Sequence, residues 1–230
     1  MKEIKINSFE EFHAQMRLLI KDRIWIFRGH NSVDWTLTPK LGRPAFDGTR
    51  FADILSSFQR RALEFIVHKP EDTLDWITLA QHHGLPTPLL DWSYNPLVAA
   101  FFAVSPVTSE DCAIYAHRPM GRANGFKDPL TFEGVAYVRP RGIAARVVRQ
   151  SGVFTLHGPA SCEMGKGLKK GDPIHRYIIT KKYRKEMIYE LDRYGINRMT
   201  LFPDLDGLSS YMDWSGRVDV RKYWSTNDEA

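Results

Sequence analysis

Two adjacent histidines, His82 and His83, stand shortly before an acid, Asp91, which is followed by Trp92, Ser93 and the pair Asn95-Pro96. The stretch from Leu79 to Val104 therefore gathers imidazoles, a carboxylate, a hydroxyl, a glycine and prolines ahead of an apolar run. An ordinary core segment needs no such mixture. Upstream, Trp25-Ile-Phe-Arg-Gly-His30 places one arginine, Arg28, at the end of an apolar strand. A guanidinium is a rigid fork of donors that fits a phosphate or a carboxylate, so Arg28 reads either as an anion clamp or as a salt bridge stapling the strand end. Asp91 reads as a site carboxylate or as a cap for the helix that begins at Asn95. His82 reads as a site group or as a helix C-terminal histidine favoured by the dipole. His157 reads equally as a satisfied core residue, and Gln150 as a bridge between strands.

The composition bounds what those residues can serve. The chain has 230 residues, 43% of them hydrophobic and 12% aromatic, enough for a sizeable core in one large domain or two small ones. A formal charge of +5 over 32 basic and 27 acidic residues permits an anionic partner without requiring one. Cys112 and Cys162 are too few for a disulfide framework, which points to a reducing, cytoplasmic setting. The start, Met1-Lys-Glu-Ile-Lys, lacks the apolar core of a signal peptide, and no run is long and apolar enough for a membrane span.

Periodicity supplies the elements. Glu3–Ile6 reads as a strand, followed by a helix capped by Ser8 with Glu11 completing a capping box and Phe12, Met16 and Leu19 inward. Ile24–Phe27 reads as a strand that Arg28 ends and Gly29 breaks, and Trp35–Pro39 as a short extended piece. A helix is expected over 51–67. Another spans Asp72–His83, capped by Asp72 or Thr73 and stopped by Gly84. Leu85–Pro88 must be extended and Leu89–Ser93 is a short buried strand. Asn95-Pro96 then starts a helix that is apolar on nearly every side. Strands follow at Ala113–His117, Val135–Val138, Gly152–His157 and His175–Thr180. Helix 181–194 and a final helix close the chain, with residues 226–230 frayed. The economical architecture is one α+β domain over 1–230, with mixed or antiparallel sheet flanked by helices.

Taken together, Phe27-Arg28-Gly29 and Ala80-Gln81-His82, Gly84-Leu85-Pro86-Thr87, Leu89-Leu90-Asp91-Trp92 and Asn95-Pro96-Leu97 resemble the FRG domain family, whose name comes from the aromatic-Arg-Gly stretch. Ala99, Phe102 and Ala103 fit the same signature. Arg146, Gln150, Gly152 and Phe154 are similar to a later family element, and Phe202-Pro-Asp-Leu-Asp-Gly207 to one near the end, so the resemblance covers roughly 24–212. Two positions depart from it: Pro88 stands where the family usually carries Arg, and His30 where Gln is common. Members of the family look like parts of bacterial and phage-related conflict systems, as toxins or defence proteins. A more distant resemblance is to ADP-ribosyltransferases of the arginine–serine–glutamate type, in Phe27-Arg28-Gly29 and in Asp91-Trp92-Ser93 with the Asn95–Ala103 helix. Their strand-borne glutamate has no clean counterpart; Gln150 lies near its place and Glu133 is another candidate.

That resemblance implies NAD as substrate and ADP-ribosyl transfer or NAD hydrolysis as the reaction, with a protein or nucleic acid as acceptor. Breaking the nicotinamide–ribose bond builds positive charge on the sugar. In this reading Arg28, His82, Asp91 and Gln150 are the catalytic candidates. Arg28, Gly29, His83, Ser93 and Phe154 hold the nucleotide, and Arg28 takes its phosphates. Two rival classes stand beside it. One is a metal-dependent hydrolase using His82, His83, Asp91 and His157, although H-E-x-x-H and H-x-H spacings are absent. The other is a non-catalytic nucleic-acid module built on the basic stretches 139–149 and 166–185, with Tyr177 and Tyr183 interleaved. Asp204 and Asp206 are weaker cation candidates within a turn that packs the last helix. Phosphate-loop and dinucleotide-binding signatures are absent.

Overall fold

The computed structural model describes residues 2–21, 25–120, 123–141, 145–167 and 173–227. In chain order it runs β1 (Lys2–Ile6), α1 (Phe9–Ile20), β2 (Ile26–His30), α2 (Phe51–Ala62), α3 (Thr73–His82), β3 (Leu89–Ser93) and α4 (Pro96–Val104). There follow β4 (Cys112–His117), β5 (Gly134–Val138), α5 (Ala145–Arg149), β6 (Gly152–Gly158), α6 (Met164–Gly167) and β7 (Ile174–Ile179). The chain closes with α7 (Lys181–Arg193), α8 (Arg198–Leu201), α9 (Leu205–Ser215) and α10 (Val218–Asn227). The strands form one seven-stranded sheet in the order β1-β7-β4-β2-β3-β6-β5. Only β1 and β7 run parallel; every other neighbouring pair is antiparallel. The class is α+β, as the pattern of elements predicts.

Strand alternation divides the core between the two faces of this sheet. On one face, Phe27, Ile114, Ala116, Tyr177 and Ile179 pack against α1, α4 and α7. Further along that face, Leu89, Phe154, Leu156 and Val138 pack against α2 and α3. The opposite face carries Ile26, Leu90, Trp92, Ala113, Tyr115 and Val153, covered by Leu37 and Met164. The two helical groups meet over the junction of β2 and β3. There the strands share a single registered pair, Phe27 with Ser93, so the sheet opens at its middle.

Local signals explain most boundaries. Ser8, Asp72 and Asn95 cap α1, α3 and α4 through their side chains, and Gly84 leaves α3 at φ +84°. Three expectations change. Residues 35–39 pair with no strand. The helix at Phe51 ends at Ala62, because Leu63, Phe65 and Val67 find nothing to bury against and lie exposed. And β2 runs on through Arg28 and Gly29 to His30, paired throughout with β4. Gly29 does not break the strand. It lets α4 rest on it, since a Cβ there would lie 2.1 Å from the Ala99 carbonyl oxygen. Residues 22–24 and 228–230, where the expected strand start and frayed end fall, lie outside the described residues.

Candidate functional site

Where β2 and β3 part, a cleft of about 600 Å³ opens between α4 on one side and α3 with α5 on the other. Arg28, Gly29, His82, Asp91, Ser93, Gln150 and Phe154 all line it. The two stretches singled out in sequence, separated by about fifty residues of chain, thus face one space. His83 is the exception. It forms the C-terminal cap of α3, its backbone N–H donating to Leu79 and Gln81, and it lies exposed outside the cleft. A helix turns about 100° per residue, so adjacent histidines cannot both face one cleft.

Of its two sequence readings, Arg28 takes the stapling one. Its Nε donates to His30 Nε2 at 2.9 Å, and Nη1 donates to the Asp91 carbonyl oxygen at 2.6 Å, with the Asp91 carboxylate 3.7 Å away. The guanidinium is thereby wedged across the opened β2–β3 seam. Burial, opposed by Asp91, lowers its pKa. His30 is held neutral: burial first, then Arg28, pushes its pKa down to about 3. Its Nδ1 faces the Trp35 carbonyl at 3.2 Å and is the donor, which leaves Nε2 free to accept from Arg28. A Gln at position 30 would offer the same acceptor through its amide oxygen, which accounts for the exchange of His for Gln there.

Asp91 does not cap the following helix; Asn95 does, accepting from Leu97 N–H at 2.9 Å. The Asp91 side chain is 61% exposed into the cleft. Gln81 Nε2 donates to it at 3.1 Å, and Thr87 Oγ1 donates to Gln81 Oε1 at 2.5 Å. Thr87 is fully buried and its oxygen also accepts from Leu89 N–H at 3.2 Å, so the chain Thr87–Gln81–Asp91 fixes the carboxylate from behind. Ser93 is spent on structure. Its hydroxyl donates to the Gln150 carbonyl at 2.7 Å and accepts from Asn95 N–H at 2.9 Å. Gln150 Nε2 donates to the Leu201 carbonyl at 3.1 Å, tying α5 to α8.

Among the lining residues Asp91 is the only carboxylate. Glu133 precedes β5 at the sheet edge and does not reach the cleft. The cations are Arg28 and Arg146, with His82 beside them, and Trp35, Val98, Phe102 and Phe154 supply apolar wall. Burial, then His83 and Arg146, lower the His82 pKa, so it is a neutral imidazole at neutral pH. Pro88 lies elsewhere, in a second cavity of about 450 Å³ with Leu41, Phe132 and His157. Its departure from the family pattern does not touch the cleft.

Neither rival class finds its geometry among the described residues; residues 142–144 and 168–172 of the basic stretches lie outside them. His157 lies on the opposite sheet face from Asp91, with Nε2 2.9 Å from Thr155 Oγ1 and Nδ1 2.7 Å from the Cys162 carbonyl. No group of three potential ligands is gathered for a metal among the described residues. Asp204 caps α9, accepting from Gly207 N–H at 2.7 Å. Tyr177 and Tyr183 are core residues, 2% and 4% exposed, so they offer no stacking surface to bases. Arg141 is held by Glu71, Asp72 and Asp75. Sequence reasoning missed the support of Asp91 by Gln81 and Thr87, and missed Arg146 as a cleft cation. Arg146 stood in a motif but also in a basic run, which reads as solvated surface.

No helix among the described residues is long and apolar enough to cross a membrane. No curated protein and no solved structure matches the chain. The family model described as the FRG domain matches residues 23–112, which hold β2, α3, β3 and α4 and with them Arg28, His82, Asp91 and Ser93. Residues 23–112 thus match the FRG domain, and most of the cleft lining falls within them.

Proposed function

We propose that the cleft binds a nucleotide-type anion, NAD in particular, and that the protein cleaves the nicotinamide–ribose bond as an ADP-ribosyltransferase or NAD glycohydrolase. The observation that carries this reading is the charge pattern of the lining: Arg28 and Arg146 against the single carboxylate Asp91, between apolar and aromatic walls. A net positive, partly apolar cleft suits a molecule with phosphates at its centre and flat rings at its ends. Asp91, held by Gln81 and facing the open cleft, is the group suited to support the positive charge that builds on the ribose as the bond breaks. His82 stands as a neutral acceptor or donor for a ribose hydroxyl. Gln150 and Ser93 set the backbone at the β3–α5 junction and do not touch the reacting atoms. The same proposal treats the described chain as one unit, because β1 from the N-terminus pairs with β7 from the C-terminal half.

The test is nicotinamide release from NAD by the purified protein, beside Asp91→Asn. Release that falls roughly 100-fold or more in the variant, with its thermal midpoint unchanged, is the expected result. Release unaffected by Asp91→Asn, or none at all from a protein that binds NAD, overturns the catalytic reading.

A further inference from the structure

Of the two cleft arginines, the sequence points to Arg28, yet its donors are already engaged. A guanidinium grips a phosphate through one of two edges, Nη1 with Nη2 or Nε with Nη2. In Arg28 each edge contains an atom that donates to the protein: Nη1 to the Asp91 carbonyl, Nε to His30. Its side chain is only 16% exposed. It is a structural wedge.

Arg146 is the reverse case. It lines the cleft from α5, and among the described residues its guanidinium makes no hydrogen bond or ion pair. Its guanidinium stacks on the ring of Phe202, 4.3 Å from guanidinium carbon to ring centroid. Stacking of this kind covers a flat face and leaves the in-plane N–H donors open. Phe202 is itself fixed. Arg198 lies 4.7 Å over its ring, and the Phe102 ring of the cleft wall meets it edge-on at 6.1 Å. Its carbonyl is overlain so closely by Gly207 that a Cβ there would lie 2.1 Å away. Asp204 caps the helix that Gly207 opens, and Gln150 joins α5 to α8 through the Leu201 carbonyl. The Phe202–Gly207 element thus has a role in the site. On the facing helix, Thr78 is 2% exposed and lines the cleft, and its hydroxyl has no partner. A buried hydroxyl left unsatisfied in a cleft wall is open to a ligand or a water.

We infer that Arg146, presented by Phe202, is the phosphate-binding residue of the cleft, and that the Phe202–Gly207 element exists to position it. The inference rests on the nucleotide reading of the cleft but not on cleavage of NAD. It assigns the ligand a phosphate or diphosphate group against α5, across the cleft from α4.

The probe is ADP, titrated calorimetrically into the whole chain at low and at raised salt. Wild type binds, and raised salt weakens binding. Arg146→Ala weakens it roughly 10- to 100-fold, the size of a lost charge-assisted hydrogen bond. Arg146→Lys, which keeps the charge and loses the fork, falls between, and serves in place of the alanine variant if that one does not fold. Phe202→Leu, with a melting temperature close to wild type, weakens ADP less than Arg146→Ala. Equal affinity in wild type and both Arg146 variants, or no ADP binding at all, overturns the assignment. Unchanged affinity in Phe202→Leu overturns the positioning role. ADP binding that depends on Arg146 in a protein that releases no nicotinamide upholds the subsite and removes the NAD-cleaving reading instead.

Discussion

Gly29 has no room for a methyl group. A Cβ there would lie 2.1 Å from the Ala99 oxygen and 2.4 Å from the Ala103 nitrogen, both backbone atoms that cannot rotate aside. Gly29→Ala must push α4 off β2, and the expected cost is about 3 kcal/mol or more. Urea unfolding checks it, and a loss below about 1 kcal/mol would refute the contact. His30 makes a second prediction. Its folded pKa lies near 3, below the ordinary value of 6.5, so the unfolded chain takes up the proton first as pH falls. Its contribution is complete above about pH 6.5 and is lost between there and about pH 3. His30→Gln keeps an acceptor for Arg28 and does not titrate, so it should lose less stability than wild type between about pH 7 and about pH 4.5. Equal losses in the two proteins would show that His30 titrates freely. At this level the sequence was informative about residue type and poor on partners. Arg28 was found, and of its two readings the structure shows the stapling one. Nothing in the order of residues says that Gln81 reaches Asp91, because that contact depends on how α3 is turned against β3.

The elements that shape the cleft are held by groups remote from it. Arg184 on α7 is wholly buried and, among the described residues, has no carboxylate in contact. Its guanidinium donates instead to the carbonyls of Asn31, Ala103, Val104, Pro106 and Glu110 and to Thr108 Oγ1, at 2.7–3.2 Å. Asn31 Nδ2 binds the same carbonyls of Ala103 and Pro106, at 3.2 and 2.9 Å. Together they fasten the C-terminal end of α4 and the 104–110 segment, whose Ser105 and Pro106 form part of the cleft rim. Arg184→Met should cost about 3 kcal/mol by orphaning these carbonyls, and should speed amide exchange in 104–110 more than in β4. Uniform exchange with unchanged stability would contradict this role. The helix caps behave as their motifs predict: Asn95→Ala should cost about 1 kcal/mol, read from the thermal midpoint. Capped elements are legible because the signal is local. The extent of α2 was misjudged because its periodicity continues past Ala62 while the surface to receive it does not.

Across the whole molecule the design is a sheet pried open at its centre. β2 is fully paired to β4 and β3 fully paired to β6, but the two halves touch at one residue pair. Each half carries its own helices on the same face, so the gap between the halves becomes a cleft between the helices. The α+β class was legible from the alternation of elements; the strand order was not, since β1 joins β7 and β2 joins β4 across long stretches of chain. For the same reason Arg146 and Phe202 could be named in sequence as motif members but not placed beside Arg28. In the proposed function a nucleotide lies in that opening. A crystal structure of the protein grown with ADP-ribose reads this directly. The expected density has the diphosphate within about 3 Å of Arg146, a ribose facing Asp91, and a ring against the Trp35 or Phe102 side of the wall. A nucleotide ordered elsewhere, in the Pro88 cavity for example, or one in the cleft that touches neither Arg146 nor Asp91, would contradict it.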